Sequence, residues 1–153
     1  MEKSHIDQAQ SNISLEISVH LQELSSIVAE YLNKFDRKDF YVFSDAEKRN
    51  SIYKREYREF ISKLPHIVSA ISSALSRLSV LLERADKELE LDMIILLGEK
   101  IESCITFENE LASYTEECNK HIAGDHISPS ALVSNTRKLK SNIEMLISKL
   151  NNT

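Results

Sequence analysis

Apolar side chains recur three and four residues apart along most of the chain, and this spacing sets the fold class. Because an α-helix makes one turn every 3.6 residues, the spacing places these side chains on one helix face. The first two stripes comprise Ile13, Ile17, Leu21, Leu24, Val28, Tyr31 and Phe35, then Tyr53, Tyr57, Phe60, Leu64, Ile67, Ile71, Ala74, Leu78 and Leu81. The third and fourth comprise Ile94, Leu97, Ile101, Cys104, Leu111, Cys118 and Ile122, then Leu132, Thr136, Leu139, Ile143, Leu146 and Leu150. We predict an all-α protein, an antiparallel up-down bundle of about four long helices.

Local signals mark where these helices begin and end. Ser44 and Glu47 form a capping box that predicts the start of the second helix. Gly124 follows the last residue of the third stripe and predicts a helix end in the left-handed conformation. Ser128 and Pro129 supply a cap and a first-turn proline for the fourth helix. Short connections of this kind favour antiparallel neighbours.

Pro65 lies inside the second stripe without interrupting its spacing. Proline lacks the amide hydrogen that a helix interior needs, and its ring clashes with the preceding turn. The uninterrupted stripe favours a kink over a full break. We predict that the second helix is kinked near Pro65.

The composition indicates one cytoplasmic domain spanning residues 1–153. Hydrophobic residues make up 42% and charged residues 28% of the chain, as in soluble globular proteins. The longest apolar run, Met93–Leu97, is far shorter than the roughly 20 residues of a membrane span. The first residues show no secretory signal. We therefore expect no membrane association.

Charge is concentrated in the third helix. Residues 83–117 hold eleven acidic and three basic side chains, a net charge of −8. Such a field attracts a basic protein surface and repels nucleic acids and anionic membranes. A solvated helix face is the alternative interpretation. The predicted partner-binding carboxylates are Glu99, Glu102 and Glu110.

A second candidate interface is aromatic. Phe40, Tyr41 and Phe43 fall in the predicted connection between the first two helices, and interface anchors are enriched in aromatic side chains. The alternative is that these rings close the end of the bundle. Interleaved basic residues also permit stacking on single-stranded nucleic acid, but neighbouring acidic residues nearly cancel their charge, so no nucleic-acid partner is expected.

One cluster could hold a metal. Cys118 and His121 lie three residues apart on the third helix, and Asp125 and His126 follow in the next turn. This set of donors could complete a tetrahedral zinc site. Against it, Cys118 belongs to the apolar stripe and no paired-cysteine signature is present. We therefore expect no metal and no cofactor, and keep a metal-dependent protein or enzyme as the alternative.

No catalytic motif is recognisable, and no phosphate-binding glycine loop is present. The sequence favours a non-enzymatic interaction module of the binding, inhibitory, chaperone or immunity type. Between Leu64 and Leu82 the one charged side chain is Arg77, with serines recurring opposite the stripe. This neutral stretch predicts a homodimer, so a structural homo-oligomer is a further alternative.

Overall fold

The computed structural model describes residues 5–35, 46–124 and 129–151. Its helices are α1 (His5–Phe35), α2 (Ala46–Ser62), α3 (Pro65–Lys87), α4 (Leu91–Ala123) and α5 (Pro129–Asn151). No strand occurs in these described ranges. Since α2 and α3 are successive parts of one kinked rod, the architecture is the predicted bundle of four helical rods. The predicted cap residues Ser44 and Ser128 lie outside the described residues.

The helices form a closed ring in which α1 packs on α3 and α5, and α4 packs on the same two helices. Contacts between α1 and α3 show that neighbours run in opposite directions. Glu16 pairs with Arg77 at 2.7 Å, whereas Glu23, further along α1, contacts His66, earlier in α3, at 3.4 Å. The predicted up-down arrangement is thus confirmed.

Three of the four predicted stripes form the core without exception. Every predicted position of α1, of the α2–α3 rod and of α5 is buried, including Thr136. The third stripe needs a correction, because Ile94 and Ile101 are only partly buried. Lys100, Phe107 and Tyr114 occupy the core positions of α4 instead, between Leu97, Cys104, Leu111 and Cys118.

The rod from Ser51 to Lys87 is long and apolar enough to cross a membrane by length and composition alone. In this structure, part of its apolar side chains form the core of the bundle. Ile67, Ile71, Leu78 and their stripe neighbours are buried against the other helices. A core helix passes the same test, and 39% of the residues in the apolar window of this rod are buried.

The kink before Pro65 has the predicted form. The amides of Lys63 and Leu64 donate to the carbonyls of Phe60 and Ile61, each at 3.1 Å, in the tighter three-residue pattern. Leu64 keeps helical angles, with φ −80° and ψ −36°. The regular pattern resumes when the Val68 amide donates to the Leu64 carbonyl at 3.0 Å. The chain thus passes the proline without losing the register of its stripe.

Gly124 ends α4, but not in the predicted conformation. Its φ of −78° and ψ of 162° are extended, and residues with side chains adopt these angles readily. The left-handed conformation was therefore the wrong expectation at this position. Its amide still donates to the Lys120 carbonyl at 3.1 Å, which completes the last turn.

The left-handed residue lies at the turn between α3 and α4, where Leu89 has φ 55°. The Glu90 amide donates to the Ala85 carbonyl at 3.0 Å, and the Leu89 amide donates to the Asp86 carbonyl at 3.3 Å. These two bonds form a Schellman motif, whose left-handed position glycine usually occupies. Leu89 is 78% exposed, so its side chain contributes little to the core.

Replacing Leu89 with glycine should raise the free energy of unfolding by about 1 kcal/mol. A residue with a β-carbon is roughly that much less stable than glycine in the left-handed conformation. Urea denaturation measures the change. Glu88→Gly is the matched control, since Glu88 has φ −87° and gains nothing from glycine. We expect the control to lose stability; equal effects of the two variants would contradict the strain at Leu89.

Candidate functional site

The three predicted carboxylates of α4 lie along one groove. Glu99, Glu102 and Glu110 are all exposed. They line a groove of about 560 Å³ between α4 and α5. Because α5 runs antiparallel to α4, Leu150 and Lys149 lie at the end of the groove near Leu96. The structure therefore brings together residues that the sequence had linked only by charge.

The groove combines the carboxylates of α4 with apolar and amide groups and with the exposed Lys149 of α5. Phe107 and Leu146 are buried in its lining, while Met145 is 56% exposed. A second cavity, of about 670 Å³, shares Thr106, Glu110 and Asn142 with the first and continues to Glu117. From Leu96 to Glu117 the combined groove follows α4 for about 32 Å at the usual helical rise. Its length suits an extended or helical segment of another protein.

The predicted aromatic interface, Phe40, Tyr41 and Phe43, lies outside the described residues. The rings that flank this connection, in the last turns of α1 and along α2, pack inside the bundle. Phe35 stacks on Tyr57 with centroids 3.9 Å apart and planes 11° apart, and Tyr31 contacts Phe60 at 5.0 Å. These four rings are fully buried, so they cannot stack on the bases of a nucleic acid.

Two members of the alternative metal cluster, Asp125 and His126, also lie outside the described residues. Cys118 is 1% exposed, and burial raises the pKa of its thiol to about 11. That disfavours the thiolate form that binds zinc. His121 contacts Glu117 at 3.5 Å on the helix surface. Within the described ranges, no three cysteine, histidine or carboxylate side chains are placed to hold a metal ion.

The sequence did not predict the buried polar residues Gln10, Ser14, Ser18 and Lys100, and Lys100 is the charged one among them. It is 3% exposed and extends from α4 across the core to α1. Its ammonium donates to Gln10 Oε1 at 2.7 Å and to Ser14 Oγ at 2.9 Å. The Gln10 amide nitrogen in turn donates to Asp7 Oδ1 at 2.8 Å. A strict three-four repeat from Leu97 to Cys118 would have placed position 100 in the core, but lysine was not read as a core residue.

The surroundings of Lys100 explain how its charge is accommodated. Burial lowers the pKa of its ammonium because the charged form is less well solvated in the core, while the carboxylate of Asp7 acts in the opposite direction. Two neutral oxygens replace part of the lost hydration. The amine is thus fixed by α1, which indicates a role in aligning α1 with α4.

The two buried thiols make the free energy of unfolding decrease at alkaline pH. Burial raises the pKa of Cys104 and of Cys118 from 9.0 to about 11. Below pH 9.0 both thiols are protonated in the folded protein and in the unfolded chain. Between pH 9.0 and about 11 they lose the proton in the unfolded chain but keep it in the folded protein. The thiol contribution to stability is therefore complete below pH 9.0 and is lost as pH rises toward 11.

We accordingly expect the wild-type protein to lose unfolding free energy above pH 9.0 faster than the double variant Cys104→Ala, Cys118→Ala. Urea denaturation at a series of pH values measures both. The variant is less stable at neutral pH because it leaves cavities, so the slope is the informative quantity. Lys100 and the buried tyrosines are present in both proteins, so burial, the largest cause of their own pKa shifts, acts on both slopes. Parallel slopes would contradict the prediction.

Helical bundles serve many unrelated functions, so the fold does not indicate one by itself. The function is therefore inferred from the surface of α4 and from its groove with α5. In the comparisons with known proteins, no family model, curated protein or solved structure matches the chain.

Proposed function

We propose that this protein is a non-enzymatic interaction module that binds a basic surface of another protein through the acidic face of α4. One observation carries the proposal: Glu99, Glu102 and Glu110 are all exposed and line the same groove. Carboxylates gathered on one surface raise the local concentration of a basic partner and orient it before contact. The apolar side chains of the groove supply burial once contact is made.

The groups with reactive chemistry support binding over catalysis. The amine of Lys100 and the thiols of Cys104 and Cys118 are all buried in the core of the bundle. The amine of Lys100 is held by Gln10 and Ser14. The raised pKa of each thiol favours its unreactive neutral form. Toward the groove with α5, α4 presents the carboxylates of Glu99, Glu102 and Glu110.

Neutralising the three carboxylates tests this proposal. The triple variant Glu99→Gln, Glu102→Gln, Glu110→Gln should bind the partner recovered from the native host at least about tenfold more weakly, mainly through slower association. The matched control replaces Glu30, Glu59 and Glu144, whose side chains are 56%, 50% and 60% exposed on other helices. It changes the net charge equally and should bind almost normally.

The salt dependence of the association rate further distinguishes the wild-type protein from the triple variant. Association of the wild-type protein should slow steeply as ionic strength rises, because exposed charges are screened over about 10 Å at 0.1 M salt. The triple variant should have a flatter dependence. If both triple variants weaken binding equally, net charge rather than the α4 face is responsible, and the proposal is wrong.

A second candidate, a homodimer, is favoured by the neutral outer face of α3. Ser69, Ser72, Ser73 and Ser76 are exposed, and Val80 beside them is 56% exposed. The Ser76 hydroxyl donates to the Ser72 carbonyl at 3.2 Å, which reduces its need for water. Small uncharged side chains let two helices approach closely.

If α3 forms such an interface, sedimentation should show a dimer at protein concentrations of about 10–100 µM. Ser72→Glu combined with Ser76→Glu should return the protein to a folded monomer, because both positions are exposed, and its melting temperature should no longer depend on protein concentration. A wild-type monomer throughout this concentration range would exclude the dimer.

A further inference from the structure

The outward face of α4 carries a second apolar stripe that no other helix covers within the described ranges. Leu91, Ile95 and Ile105 are 69%, 62% and 45% exposed. With Gly98 and Glu102 they follow the same spacing of four, three, four and three residues as a packed stripe. Residues at this spacing lie on one helix face. We refer to Leu91, Ile95, Gly98 and Ile105 as the outer stripe.

Two residues at the outer stripe contradict the preferences of the local structure. Gly98 lies inside α4, where glycine is a poor helix former, and a β-carbon added there would meet no atom within 4 Å. Leu89, just before the stripe, adopts a left-handed conformation while 78% exposed. Neither choice improves the fold. Residues that oppose their local structure without a packing gain are expected at functional sites.

Gly98 lies at the middle of the outer stripe, where it removes the side chain that would keep another backbone away. Glycine is the residue that permits such close approach. The stripe from Leu91 to Ile105 extends for about 21 Å, which corresponds to about four turns of a partner helix. A helix crossing α4 at Gly98 could therefore contact the aliphatic side chains on both sides of it.

The charges beside the outer stripe determine what kind of helix fits. Asp92 and Glu99 are exposed on one flank, seven residues apart, and Glu102 is exposed within the stripe itself. The ion pairs that the structure describes within α4 lie at its other end, Glu116 with Lys120 and Glu117 with His121. A second copy of this surface would bring carboxylates against carboxylates. A helix with basic flanks would place a cation beside each of them.

We propose that the outer stripe binds an amphipathic helix of another protein, with aliphatic residues along its contact face and lysines or arginines on its flanks. The helix crosses α4 at Gly98, its apolar face covers Ile95 and Ile105, and its basic side chains pair with Asp92, Glu99 and Glu102. This inference rests on the proposed function and specifies the class of partner. Helices that dock through such apolar anchors are a common mode of peptide recognition.

Synthetic peptides of about 15 residues, long enough for four helical turns, are the probes for this site. The first has leucines three and four residues apart and lysines on both flanks. The second keeps the leucines but has glutamates on the flanks, and the third keeps the lysines with the leucines scrambled. Fluorescence anisotropy of labelled peptides measures their affinity for the full chain. We expect binding of the first peptide and at least about tenfold weaker binding of the other two.

Two variants of the chain then locate the binding surface. Ile95→Gln and Gly98→Ala should each weaken binding of the first peptide about tenfold, as expected for losing one anchor or one close approach. Gly98→Ala should also raise the urea midpoint, because alanine favours the helix and its methyl meets open space. A variant that folds better and binds worse cannot be explained by damage to the fold. Leu15→Gln is the matched control, since Leu15 is 64% exposed on α1.

Three results would overturn the inference. The first is unchanged affinity in both Ile95→Gln and Gly98→Ala, and the second is equal weakening in Leu15→Gln. The third is a wild-type dimer that Ile95→Gln converts to a monomer, which would make a second copy the occupant. If the native partner depends on Glu110 but not on Ile95, the inference fails while the proposed function remains. If neither position nor the salt concentration affects the native partner, both fail.

Discussion

Each helix of the bundle buries one stripe of side chains spaced three and four residues apart, and this burial supplies the free energy that holds the helices together. The constraint is geometric as well as energetic. A stripe of this spacing follows a helix only if the helix is continuous, so Pro65 is tolerated where the tighter turn at Lys63 and Leu64 preserves the register. The same requirement keeps the chain antiparallel, because short connections return each stripe to the shared core.

The core is not uniform along its length. Near the C-terminal end of α1 the rings of Tyr31, Phe35, Tyr57 and Phe60 contact one another, with centroids 3.9 to 5.9 Å apart where they are neighbours. Near the N-terminal end, Lys100 places a charge between Gln10 and Ser14. The buried rings contribute mainly through the apolar surface that they remove from water, whereas a buried ammonium is stabilised only where its acceptors are in reach. The polar end therefore specifies how α1 and α4 align, while the aromatic end contributes mainly to stability.

This difference explains which parts of the structure could be predicted. The stripes of α1, of the α2–α3 rod and of α5 were visible because apolar side chains dominate their buried positions, although α1 also buries Gln10, Ser14 and Ser18. In α4 the predicted stripe included Ile94 and Ile101, which are only partly buried. It left out position 100, because the buried residue there is a lysine. Hydrophobicity shows which side chains leave water, but it does not show which polar groups find partners inside. Those partners, Gln10 and Ser14, lie on another helix and become apparent only in three dimensions.

The candidate functional site, on the surface of the bundle, shows the same limit of prediction from sequence. Charge along the sequence pointed to Glu99, Glu102 and Glu110, and folding places them along one groove with α5. The apolar residues beside them gave no separate signal, because Leu91 and Ile95 resemble core residues until the structure shows them exposed. Leu89 and Gly98 are informative for a related reason. Each opposes the local preference of its helix or turn, and in a protein stabilised by a few kcal/mol such positions are readily improved by substitution. Their identities make physical sense if α4 serves a second helix on its outward face as well as the core on its inward face.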